Sequence, residues 1–421
     1  MAPLEALLSP YGVASACWSW PPVRGLQRLS NAACSIGSGV PGRAAARGPM
    51  GGGRAIDDQD RARLVAIAEA AERYSALDLP SDRVVWARAD ELTGAVLDLS
   101  RIPRCSELEY ARPDCPLLPF DRSARIRWEQ GTDLITGAAT WVPAVMSNYM
   151  LGSRVPGERF SYSISTGCAV HTDATEALVG AVCEVVERDA IALVWLQMLP
   201  LSLTGPLSSD HLDYLLEWSE RHFITTYLFD ATSDLGVPTV YCLQVAEHDS
   251  RARSMVGCGT DRTLAGAAEK ALIEAISFRP SMYTAEPVPA SAEECRELTD
   301  GARFMGTAER SEAFRFLTDG VHARLPREHR ELPADPQAAL ARLIGTLAAK
   351  GMQAVAVDRT TRELAEVGLT SVSVVIPDLL PMTLTPLAQY RAHPRLHEGP
   401  TAMGYAVRTE KDFNPWPQPF A

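Results

Sequence analysis

Residues 165–190 read STGCAVHTDATEALVGAVCEVVERDA, and this stretch decides the fold. Ser165-Thr166-Gly167 reads as a turn. An Ala/Val-rich helix follows from Thr172 or Asp173 to Met198, and Pro200 ends it. Glu184 and Glu187 are three positions apart, so both project from one side of that helix. The same spelling, Ala-x-x-Glu-x-x-Glu-Arg, occurs at 66–73 (AIAEAAER) and at 181–188 (AVCEVVER), so Glu69 and Glu72 also share a side. A third helix, from about Thr263 to Phe278, adds Glu269, Lys270 and Glu274, with Arg279 just beyond. Carboxylates on otherwise apolar helices are costly to bury without a cation. Hard oxygen ligands in this number suit Mg2+ bridged to substrate phosphates. Arg54, Arg73, Arg188, Lys270 and Arg279 could meet the phosphate oxygens.

The rest of the chain arranges itself around these helices. Residues 38–54, ending GPMGGGR, read as a flexible cationic loop because glycine gives little reason for regular structure. Asp57 or Asp58 caps a first helix whose Leu64, Ile67, Ala68 and Ala71 form an apolar stripe. Residues 83–89 read as a strand, and 125–130 and 138–145 as two paired strands about a turn at Gly131-Thr132-Asp133. Strands follow at 225–229, 239–245 and 254–256, then a second Gly-rich turn at 257–260. Residues 285–335 are polar and contain prolines, so they read as an insertion or lid; 336–350 is helical, and 353–357 and 371–376 are strands. No linker stands out. The expectation is one large α/β fold with a weak internal duplication of the helix bearing Glu-x-x-Glu-Arg.

Composition bounds the function. A chain of 421 residues with 46% hydrophobic and 22% charged residues has a real core. Asp and Glu outnumber Lys and Arg by 52 to 40, a net charge of −12, which argues against a broad nucleic-acid or acidic-membrane surface. The nine cysteines include no CxxC pair, so a disulfide framework or a cysteine zinc site is not expected and a reducing compartment is. The N-terminus MAPLEALLSPYG is not a secretory signal. The longest apolar run, near 191–201, is too short to span a bilayer. A soluble, cytoplasmic protein is expected.

Ordinary explanations compete with each site. Glu-x-x-Glu on a single helix is commonly a solvated face. His171 at a helix start suits a local cap, Cys168 and Cys183 suit buried thiols, and Trp195 suits the core. Pro394 breaks any helix between His393 and His397, which speaks against zinc. There is no GxxxxGK[ST], and no GxGxxG opens a helix after a strand.

Taken together, GGGRA (51–55) with ARLVAIAEAAERYSA (62–76), then STGCAVHTDATEALVGAVCEVVERDA, then GCGTDRTLAGAAEKALIEAISFR (257–279) resemble the three signature regions of YcaO-domain proteins. The resemblance runs from LSPYGVAS (8–15) to the last residue. It implies an ATP site with Mg2+ between helices and sheet, used to activate backbone amides of peptides. It implies metal ligation by Glu69, Glu72, Glu184, Glu187 and Glu274, and nucleotide contacts from Arg54, Ser165, Arg188, Lys270 and Arg279. Arg54 stands where the family usually has Lys in a GKG turn, Ala55 replaces the second Gly, Thr166 replaces a common Asn, and Ser277 a common Gln. Azoline-forming members often end PHPFP, whereas 417–421 here read PQPFA. The tail, with Pro415, Pro417, Pro419 and the terminal carboxylate of Ala421, is therefore expected to dock and help form the active site. Alternating prolines lower the entropy lost on docking.

The resemblance implies an ATP- and Mg2+-dependent cyclodehydratase that turns Cys, Ser or Thr of a ribosomally made precursor peptide into thiazoline or oxazoline. Alternatives are thioamide or amidine formation on the same scaffold, or a non-catalytic scaffold that recruits the precursor. Nothing in the chain resembles a leader-peptide-binding or adenylating-enzyme-like domain, so such a partner is expected as a separate protein. The resemblance also allows a homodimer.

Overall fold

The computed structural model describes residues 2–9, 11–37, 50–77, 83–152, 155–284, 286–323 and 330–420. Residues 38–49 of the expected Gly-rich loop, and Ala421, lie outside the described residues. The chain forms two compact units, Met1–Leu99 with Asp121–Glu184 and Asp335–Ile376, and Ser100–Phe120 with Val185–Ala334 and Pro377–Ala421. The expected α/β fold is thus built from two compact units. The two units interleave along the chain, so no linker marks where one ends.

In the first unit β1 (Ala14–Trp20), β2 (Leu29–Ile36) and β3 (Met50–Ile56) make an antiparallel sheet in that order. Helix α1 (Gln59–Ser75) packs against it, begun by Asp58, whose carboxylate accepts the Arg61 N–H at 2.7 Å. Its buried residues are Ala62, Ala66, Ile67, Ala70, Ala71 and Ser75. Strand and helix approach closely because β3 offers glycine. A Cβ on Gly51 would stand 2.4 Å from Ala66 O, and one on Gly53 only 1.8 Å from Ala62 O. The GPMGGGR loop is thus corrected at its end: residues 50–54 are strand, and the glycines make room for a helix. The expected apolar stripe is shifted too, since Leu64 and Ala68 line a cavity instead of the core.

A second sheet in this unit runs Ala95–Val96, Ala139–Pro143, Ile126–Asp133, Val355–Asp358, Thr370–Val375, Cys168–His171, with Val85–Ala87 also pairing to Ile126–Asp133. The turn expected at 131–133 is strand, and the chain turns after it, with Gly137 at φ +74°. Gly131 instead lets Ala356 O approach to 2.6 Å of where a Cβ would be.

Helix α2 (Ala174–Gln197) begins after Asp173, which accepts the Thr175 and Glu176 N–H groups. The division between the units falls within it, after Glu184. The second unit continues with α3 (Asp210–Arg221), β4 (Thr225–Asp230), β5 (Thr239–Val245), β6 (Ser254–Thr260) and α4 (Leu264–Phe278); the sheet order is β6-β5-β4, all antiparallel. The expected Gly-rich turn at 257–260 is the end of β6. A Cβ on Gly257 would meet Ala271 O at 2.1 Å, and one on Gly259 would meet Ala267 O at 2.4 Å. Among the described residues the recurring strand–helix geometry therefore links β3–α1 with β6–α4. The two Glu-x-x-Glu-Arg segments share spelling, and no duplicated unit is seen around them.

The stretch expected as a polar lid carries α5 (Leu298–Gly306), which buries Ala302, Phe304 and Met305; Leu317 and Val321 are buried further on. Part of it therefore belongs to the core, while 286–288 stay exposed. The tail also lies inside the second unit. Trp195 Nε1 donates to Trp416 O at 3.0 Å and Asn414 N to Leu196 O at 2.9 Å. The Gln418 amide donates to Thr383 O, and the Phe420 ring meets Tyr241 edge to face at 5.3 Å. Pro417 and Pro419 are buried, whereas Pro415 is exposed. No described helix is long and apolar enough to cross a membrane.

Candidate functional site

Edge strands have outward amides with no strand partner. β3 and β6 are such edges, and glutamates meet their amides. In the first unit Gly52 N donates to Glu69 Oε2 at 2.8 Å. Arg73 bonds the other Glu69 oxygen and Met50 O, so it ties the helix to the strand instead of facing a ligand. Glu72, one turn along, has its carboxyl pushed well above the usual range by burial, then by the nearby carboxylates of Glu184 and Glu69. The Cys168 thiol is driven up by burial and by Glu72 and Glu184, which keeps it protonated. A cavity of about 480 Å³ opens beside Glu69 and Glu72, walled by Leu64, Val65, Ala68 and Val170 with His171 at its side. His171 Nδ1 accepts the Asp173 N–H at 2.9 Å, the local cap expected of it.

In the second unit Cys258 N donates to Glu274 Oε2 and Thr260 N to Glu187 Oε2, each at 2.8 Å. Arg188 Nη1 stands 3.4 Å from Glu187 Oε1. Lys270 bonds Asp261 at 2.6 Å and Thr260 O at 3.2 Å, with its side chain more than half exposed. Glu269 pairs instead with His211 at 3.0 Å. Arg279, expected on the phosphate side, is corrected to a buried guanidinium that holds Gln244 Oε1 at 3.1 Å and Ala252 O at 2.8 Å. Burial pushes its pKa down.

The residues present fit a divalent cation. Carboxylates supply hard oxygen ligands, and half-buried Glu72 feels the charge of Glu184 and Glu69, a like-charge crowding that a cation relieves. The first unit brings together Glu69, Glu72 and Glu184, and the second Glu187 and Glu274. Arg54 projects exposed from β3, and Ser165 is half-buried in the turn before Cys168, where its carbonyl accepts the Cys168 N–H at 2.8 Å. The backbone amides of Gly52, Cys258 and Thr260 were missed as site groups. For Gly52 and Cys258 the signal was the glycine pattern 17 or 16 residues ahead of a glutamate on an Ala-rich helix; Thr260, whose partner Glu187 lies 73 residues before it, had no such signal. His393 is a buried structural residue, held by Arg101 O and Pro377 O at 3.0 Å each.

Residues 52–380 match the family described as YcaO cyclodehydratase, ATP- and Mg2+-binding. A relative described as an uncharacterized protein in the tfuA 3′ region of Rhizobium leguminosarum bv. trifolii is 28% identical over 322 residues, 72% of this chain and 71% of that protein. A solved heterocyclase in complex with substrate and cofactor superposes with a TM-score of 0.83 at 19% identity, over 99% of this chain and 56% of its own. YcaO from Methanopyrus kandleri bound with AMPPCP and Mg2+ superposes with a TM-score of 0.61 at 16% identity, over 89% of this chain and 90% of its own. The chain thus spans about half the length of that heterocyclase and shares its fold.

Proposed function

The chain belongs to the YcaO family, and we propose that it uses ATP and Mg2+ to cyclodehydrate Cys, Ser or Thr residues of a ribosomally made peptide to thiazolines or oxazolines. The observation that carries the reading is Glu72 at the cavity wall, its carboxyl raised by burial and by the charges of Glu184 and Glu69, a crowding that a cation would relieve. Glu69, Glu72 and Glu184 in one unit, and Glu187 and Glu274 in the other, would hold Mg2+, which neutralises triphosphate charge. Lys270, Arg188 and Arg54 supply cations to phosphate oxygens.

In the proposed reaction the peptide side chain attacks the preceding amide carbonyl. The resulting oxyanion takes the γ-phosphoryl group of ATP, and loss of phosphate leaves the ring. Little covalent chemistry falls to the protein, so positioning and charge stabilisation dominate. The docked tail supports a positioning role for Pro415, Pro417 and Pro419, with the Ala421 carboxylate as a candidate base. A separate leader-binding protein is proposed as partner.

A second reading has a sulfide donor attack the same phosphorylated amide, the oxygen leaving as phosphate, to give a thioamide; one departure of the tail bears on it. Gln418, at a tail position where azoline formers commonly carry His, is bound into the protein through Thr383 O. One experiment tests both. A Cys/Ser-containing precursor peptide, incubated with the protein, a leader-binding partner, Mg-ATP and sulfide, is read by mass. Loss of one water per ring supports the first reading, exchange of oxygen for sulfur the second, and an unchanged peptide without ATP turnover contradicts both.

A further inference from the structure

Cys17 on β1 and Cys34 on β2 are direct cross-strand partners. The hydrogen-bond ladder says of which kind. Gly52 N leaves the β3 edge to reach Glu69, so Gly52 is not bonded to β2, and Gly51, opposite Cys34, is. Backbone groups alternate in direction along a strand, so Cys34 directs its amide and carbonyl to Gly51 and none to Cys17. Cys17 and Cys34 are therefore a non-hydrogen-bonded pair. That arrangement has the shorter Cα separation, about 4.5 Å, with both side chains on one face. It falls at the close end of the roughly 4.4–6.8 Å that a disulfide spans.

The surroundings give the two thiols different access. Cys34 is fully buried among Ala66, Ile67 and Ala70 of α1, while Cys17 packs half-buried at the margin of that cluster. Burial and the hydrogen-bonded Cys17 thiol push the Cys34 thiol up to about 12. Cys34 is thus a poor first target for an oxidant, and Cys17 is the one solvent reaches.

We propose that Cys17 and Cys34 form a reversible oxidation site that a peroxide closes to a disulfide. Hydrogen peroxide oxidises the Cys17 thiol to a sulfenic acid, releasing one water. The Cys34 sulfur then attacks the Cys17 sulfur, the S–S bond forms, and the hydroxyl leaves with the Cys34 proton as a second water. Two thiols lose two electrons in total and one peroxide is reduced. A link at the close end of the allowed separation is readily reopened by a dithiol. Closure staples β1 to β2 beneath α1, the helix that carries Glu69 and Glu72.

The test is thiol mapping of the full chain. Protein is treated with hydrogen peroxide, alkylated with iodoacetamide, digested without reductant and analysed by mass spectrometry. The proposal expects a peptide pair linked through Cys17 and Cys34, an upward shift in Tm, and reversal of both by dithiothreitol. In Cys34→Ala the linked pair is lost and dimedone traps Cys17 as a sulfenic acid. Recovery of Cys17 and Cys34 both alkylated after wild-type oxidation, or of Cys17 linked to a different cysteine, overturns it.

Discussion

Glu69 Oε2 accepts the backbone N–H of Gly52 at 2.8 Å, across the free edge of a three-stranded sheet. The bond recurs in the other unit between Glu274 and Cys258, again at 2.8 Å. In both, a Gly-x-Gly strand lets an Ala-rich helix come close enough for its glutamate to reach the edge amide. The carboxylate is thereby fixed through one oxygen before any ligand arrives, which is the preorganisation that charge stabilisation requires.

Gly257→Ala tests the close approach. The added Cβ would stand 2.1 Å from Ala271 O, a backbone atom that cannot give way without moving α4. The expected cost is about 2–4 kcal/mol. Urea unfolding should show it, together with weakened Mg-ATP binding as Glu274 loses its register.

Glu72→Gln should stabilise the metal-free protein. The folded value of Glu72 is raised, so the folded state holds a proton that the unfolded state has lost. Stability is then full below the ordinary carboxylate range, about 4.3, and falls as pH rises towards the raised folded value. The variant should remove that decline, gain about 1–2 kcal/mol at pH 8, and lose most of the Tm increase that Mg-ATP gives the wild type. Thermal scans across pH, with and without Mg-ATP, check this.

Gly301→Val acts on the tail from a distance. A Cβ at Gly301 would lie 2.4 Å from Gln418 O, so a branched side chain pushes the tail from its seat on α5. ATP binding should persist while peptide modification falls at least about tenfold, a loss of about 1.4 kcal/mol in barrier stabilisation. Faster digestion of the C-terminus by carboxypeptidase would report the released tail.

His393 should make the fold acid-sensitive. Burial lowers its pKa below the ordinary value of about 6.5. The unfolded chain therefore takes up the proton first, and stability present above that value is lost as pH falls below it. His393→Gln should flatten the fall between about pH 6.5 and 5 in chemical denaturation.

The helices were legible because their signals are local. Asp58, Asp173 and Thr263 cap where side-chain pattern says they should, and the glutamates follow from spacing alone. The glycines misled. Gly51 and Gly53 read as loop, and Gly131, Gly257 and Gly259 as turns, but each lies in a strand against a neighbour too close for a Cβ, a constraint that only the folded partner imposes. The same limit hid Arg279, whose acceptors at Gln244 and Ala252 are distant in sequence. Strand β1 escaped because its burial is broken by exposed Ala16, Ser19 and Trp20, and β2 because, though nearly all buried, it is spelled in small and polar residues, LSNAACSI. The two-unit division escaped because its boundary runs through the middle of α2.

The most direct test of the central claim is ATP turnover by the full chain with the proposed precursor peptide and leader-binding partner, comparing wild type with Glu187→Ala. Glu187 is fixed by the Thr260 amide and stands among the proposed ligands. The account predicts peptide-dependent phosphate release matched by loss of one water per ring, and at least about a hundredfold less of both in the variant, the scale of losing a charge-stabilising group. Equal phosphate release by the two proteins would contradict it.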